Sequence, residues 1–124
     1  MSKFIKMFYV NCKLESPKQI INWWESKRIA FNIFNTLSLI IGLLLVYLSI
    51  PSLINFFLFP FIISYGIVIN IIYILGWITL VIVREAWKER DITIIASMLF
   101  IIFFVFSIFS TLSICVIYLL LNIP

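Results

Sequence analysis

Two stretches without a single charged side chain, residues 29–83 and 92–124, dominate the pattern of this chain. The first is broken at Pro51–Ser52, because the residue before a proline is pushed out of the helical region. Residues 29–50 therefore predict one membrane span of 22 residues, close to the roughly 20 a helix needs to cross the hydrocarbon. A second span falls within 52–83, with Ser52 as its expected N-cap, a kink at Pro60 and its most apolar portion at 61–83. The third covers residues 92–121, with Asp91 as the expected cap. At about 1.5 Å per residue it is longer than the hydrocarbon is thick, so it must tilt or project. Residues 52–60 are too few to cross alone, which excludes a fourth span.

Ahead of the first span, residues 1–15 alternate cations with bulky apolar groups and predict no definite element. Ser16–Pro17–Lys18–Gln19 is a helix start: a serine cap, a proline at the first helical position and a glutamine that completes a capping box. The helix it opens brings Ile20, Ile21, Trp24 and Arg28 towards one side and is expected to lie in the membrane interface. The fold expected is an all-α integral membrane protein. An N-terminal interfacial amphipathic helix lies within residues 1–28, and three transmembrane helices within 29–124 are divided by a charged loop at 84–91.

Composition reinforces this reading. With 65% hydrophobic and 11% charged residues, the chain lies far outside the soluble range, where about 25% is charged. Six of the nine Lys and Arg precede Ile29 and the other three lie at Arg84, Lys88 and Arg90. That is a topological pattern, not a nucleic-acid surface. Three spans put both basic segments on one side, and the positive-inside rule makes that side cytoplasmic, with the C-terminus outside. A bacterial inner membrane is the expected location. Trp23, Trp24, Lys27 and Arg28, together with Arg84, Trp87, Lys88 and Arg90, are the expected membrane-interface anchors, with anionic lipid headgroups as partners. The late, long first apolar run without a small-residue cleavage site argues against a secretory signal.

Candidate chemistry is sparse. No ionisable residue falls within the spans, which argues against a proton-coupled path. There is no His, and Cys115 has no acid or base to activate it. Cys12 and Cys115 are expected on opposite sides of the bilayer midplane, too far apart for a disulfide; Cys12 is open to acylation. Catalytic, cofactor and metal sites are therefore expected to be absent. Asn35, Ser38 and Gly42 share a face of the first span, and Gly66, Asn70 and Tyr73 a face of the second. Both are candidate helix–helix contacts. Ser107, Thr111, Cys115 and Tyr118 form a polar stripe on the third span. It is either a hydroxyl-lined cleft or a set of hydroxyls bonded to their own helix's carbonyls.

The run Trp23–Trp24–Glu25–Ser26–Lys27–Arg28–Ile29–Ala30–Phe31–Asn32, W-W-E-x-K-R-x-x-F-N, resembles a pattern at the first membrane helix of small uncharacterised bacterial membrane proteins. The resemblance brings no activity with it. The function expected is a non-enzymatic scaffold or small subunit of a membrane complex, either as a homo-oligomer or with other membrane proteins. The alternative is a small oligomeric pore or holin-like, membrane-permeabilising effector lined by the Ser107–Tyr118 stripe.

Overall fold

The computed structural model describes residues 2–10, 12–54 and 58–123. Among these, all regular structure is helical: α1 (Lys3–Lys6), α2 (Pro17–Glu25), α3 (Arg28–Ser49), a single 3₁₀ turn (Pro51–Leu53), α4 (Leu58–Ala86) and α5 (Thr93–Leu121). Three of them, α3, α4 and α5, are long and apolar enough to cross a membrane, so the chain is a multi-pass, all-helical membrane protein with shorter helices at its N-terminus.

The local signals act where the residues place them. Ser16 Oγ accepts a hydrogen bond from the Gln19 amide at 3.3 Å, and Gln19 Oε1 accepts from the Ser16 amide at 3.0 Å, a complete capping box. Asp91 Oδ1 accepts from the Thr93 amide at 3.0 Å, and this bond holds its carboxyl below the ordinary carboxylate value. Asp91 thus caps α5 from just outside the helix, while Ile92 takes the cap position without a side-chain bond. One local expectation needs correcting. Ser52 caps no long helix; it lies inside the Pro51–Leu53 turn, because Pro51 nucleates a 3₁₀ turn of its own. Pro60 falls at the third residue of the described α4, so the turn in which its kink is expected reaches back into residues 55–57. Residues 55–57, within the turn between the first two spans, lie outside the described residues.

The three long helices are not level. Phe31 and Phe34 of α3 pack on Phe104 of α5, and Gly42 lies against Cys115. The two helices thus run parallel in a constant register that sets Arg28 beside residue 101. In antiparallel α4, Tyr73 packs on Phe31 and Asn70 meets Asn32, which sets Arg28 beside residue 75. The 22 residues of α3 reach ~33 Å, close to the ~30 Å of hydrocarbon. The 29 residues each of α4 and α5 reach ~43 Å. Their surplus of ~10 Å or more falls at the charged end, so the α4–α5 hairpin projects beyond the start of α3.

Candidate functional site

The residues with the most distinctive chemistry surround that projection. Residues 2–10 and 12–27 pack at the base of the α4–α5 hairpin as a collar whose inner face is aromatic. Trp24 is fully buried and Trp23 nearly so. Trp24 lies edge-on to Phe100 at 5.3 Å between ring centroids and packs on Tyr73 at 5.8 Å; Trp23 meets Phe100 at 5.8 Å. Tyr73 donates its hydroxyl hydrogen bond to the Trp24 carbonyl, which also accepts from the Lys27 amide at 3.0 Å near the end of α2. The Trp24 ring occupies the space that a side chain at Gly76 would need. The segment at residues 3–10 joins the same cluster: Phe4 packs on Phe34, and Phe8 on Phe100 and Phe104. Aromatic pairs of this geometry are worth ~0.5–1.5 kcal/mol each beyond their area.

This placement corrects the anchor assignment of Trp23 and Trp24. Neither indole lies open on the surface of the chain. α2 turns Ile20, Trp23 and Trp24 inward, because the exposed apolar stem of the hairpin is a closer apolar partner than the bilayer. Both indole N–H groups, and that of Trp77, are buried without a hydrogen-bond partner; the rings are used for their bodies, not their polar handles. Within residues 1–15, which carry no predicted element, residues 3–10 acquire a short helix and turns for the same reason.

The charged groups beside the tryptophans are held rather than free. Arg28 Nη2 lies 2.6 Å from Glu25 Oε1, and its guanidinium sits 5.2 Å from the Tyr73 ring centroid. Lys27 lies over the Trp23 ring at 5.1 Å. Burial draws its ammonium below the ordinary value of 10.5, with Cys12 acting in the opposite direction. Arg84 is tied to its own loop. Its guanidinium donates to the carbonyls of Arg90 at 2.9 Å and Lys88 at 2.8 Å, closing the α4–α5 loop. Trp87, Lys88 and Arg90 remain exposed, with Arg90 over the Trp87 ring and Lys88 3.3 Å from Glu85.

Inside the spans, Asn35, Ser38 and Gly42 face α5 as a buried stripe. A Cβ at Gly42 would lie 2.5 Å from Cys115 Sγ, so the helices touch there at backbone distance. Asn35 Nδ2 and Ser38 Oγ donate to carbonyls one turn back. On α4 the buried face runs Ile69, Tyr73, Gly76, Leu80. It includes Tyr73 but corrects Gly66, where a Cβ would meet nothing within 4 Å. The sequence reading missed Gly76, although its i, i+3 spacing from Tyr73 in a chain with only 3 glycines carries the signal. Asn70 donates to the Gly66 carbonyl at 2.9 Å and accepts from Asn32 at 3.4 Å. Ser107, Thr111 and Cys115 are buried. Ser107 donates to the Phe104 carbonyl and Thr111 to that of Ser107, while Tyr65 bonds the Thr111 hydroxyl. The stripe thus satisfies its own helix and α4. A cavity of about 260 Å³ lies beyond it, lined by apolar groups with Cys115 and Tyr118. Both cysteines are free thiols, and among the described residues no group of His, Cys, Asp or Glu is placed to hold a metal ion.

Compared with protein-family models, curated proteins and solved structures, the chain gives no match.

Proposed function

We propose that this chain is a non-enzymatic membrane protein that acts as a scaffold or small subunit, offering its charged end, on the cytoplasmic side, to a membrane partner. The observation that carries this reading is the collar. Trp24, inserted between Tyr73, Gly76 and Phe100, holds the chain's charged segments on one preorganised end. Preorganisation is what a docking surface needs in order to lose little entropy on binding. The burial of Ser107, Thr111 and Cys115 within a single chain supports this reading over the pore, which would require those groups to face a shared lumen.

In-membrane crosslinking followed by purification of the full chain is expected to recover one dominant partner bound through residues 84–91 or the collar. Release of entrapped dye from vesicles by the purified chain would replace the scaffold with the pore. A reporter active only outside the cytoplasm, fused after Pro124, is expected to be active; silence there would invert the orientation and move the docking surface to the outer side.

A further inference from the structure

The collar leaves one gap. Between residues 4–10 and the first half of α5 runs an open apolar groove of about 630 Å³, lined among others by Ile5, Tyr9, Ser97, Met98, Ile101 and Val105. Its volume is that of a ligand pocket. Along α5 it extends from Thr93 to Val105, ~18 Å at helical rise. The register of the helices gives it a direction. Its Val105 end lies level with Asn32, one turn inside the hydrocarbon; its Thr93 end lies at the top of the projecting hairpin, beyond the start of α3.

At that upper end the groove meets a second, polar cavity of about 340 Å³. Thr93 lines both, and the polar one is walled by the cations Lys13, Arg84, Lys88 and Arg90 and the anions Glu15, Glu89 and Asp91. Its lining carries four cations against three anions, and Glu85 pairs with Lys88 from outside that lining. Among the described residues Lys13 and Lys88 are engaged in exposed pairs, at 3.7 Å to Glu15 and 3.3 Å to Glu85; pairs of that kind contribute little and exchange readily. An apolar channel that starts in the hydrocarbon and ends at available ammonium groups has the shape and polarity of an amphiphile with an anionic head.

We infer that this groove binds one anionic phospholipid, with an acyl chain against Ser97, Met98 and Ile101 and the phosphate at Lys13, Lys88 and Arg90. The lipid completes the collar on the side that residues 3–10 leave open. This inference is independent of which protein the charged end engages.

The test is native mass spectrometry of the full chain, delipidated in detergent and titrated with dioleoylphosphatidylglycerol or dioleoylphosphatidylcholine. One phosphatidylglycerol per chain is expected at a concentration about tenfold below that for phosphatidylcholine, since its headgroup is net anionic where choline cancels the phosphate, and each cation near a net anionic headgroup is worth about fivefold. S97F, which fills the groove, is expected to lower retention by about tenfold, and the K88A/R90A pair to remove most of the preference between the two lipids. I117F, on an exposed face of α5 away from the groove, is expected to leave retention unchanged. If S97F does not keep the wild-type unfolding temperature, I94E, which places an anion on the exposed rim, replaces it with the same expected loss. Equal retention of the two lipids, undiminished retention in the groove variants, an equal loss in I117F, or a second copy or other polypeptide found in the groove instead of lipid would each overturn the inference.

Discussion

The two ends of the bundle are built by different means. At the charged end, large rings interlock: Trp24, Phe100, Phe31 and Tyr73 are all fully buried, and residues 4–8 and α2 pack against the hairpin. At the opposite end, α3 and α5 meet through Gly42 and Cys115, with Leu39 and Val46 as the buried neighbours and a cavity left beside them. The reason is the solvent. Where the hairpin projects beyond α3, its apolar stem would face headgroups and water, and burying it in protein gains the full hydrophobic free energy. Within the hydrocarbon, lipid tails are as apolar as leucine, so helices gain only from close packing and hydrogen bonds. Most of the fold's cohesion is therefore expected at the projecting end.

Trp24→Ala is the strongest way to break that contrast. Removing a fully buried indole is expected to cost ~3–5 kcal/mol and to expose the Glu15–Lys18 region to protease. Unfolding in detergent and limited proteolysis would measure both, and an unchanged digestion pattern would mean that the collar is held elsewhere. Gly42→Ala probes the other end. Its new methyl meets Cys115, so a loss of ~1–3 kcal/mol is expected. Adding Cys115→Ala should restore more than half of it, and failure of that rescue would locate the close contact elsewhere. Tyr73→Phe removes the hydroxyl that bonds the Trp24 carbonyl and should cost ~0.5–1.5 kcal/mol. It should also raise amide exchange at the end of α2, and unchanged exchange there would remove that bond from the lock. Gly66→Ala is expected to stay within ~0.5 kcal/mol of the wild type, because open space surrounds the position. A larger loss would show a partner helix seated at Gly66.

The smallest effect is electrostatic. The folded-state pKa of Asp91 is lowered, chiefly by the backbone bond from Thr93. Its capping contribution is therefore fully present above the ordinary value of 3.8 and is lost as pH falls through the lower folded value. Fraying of the first turn of α5, followed by amide exchange, is expected only below that window, and Asp91→Asn should make it independent of pH.

The sequence by itself determined the spans, the capping box at Ser16 and the small-residue face of α3. Each of these depends on interactions inside a short window: apolar runs matched to bilayer thickness, a serine and a glutamine three residues apart, helical spacing. The clustering of cations at one end was equally legible. The tertiary structure alone decided what Trp23 and Trp24 touch. A tryptophan beside lysine and arginine at the foot of an apolar helix has the same local pattern whether it meets headgroups or a neighbouring helix. The choice depends on how far α4 and α5 outrun α3. That offset comes from pairing residues 31 with 104 and 42 with 115, contacts that no local window contains. The same offset moved the close approach on α4 from Gly66 to Gly76 and gave residues 3–10 a surface to fold against.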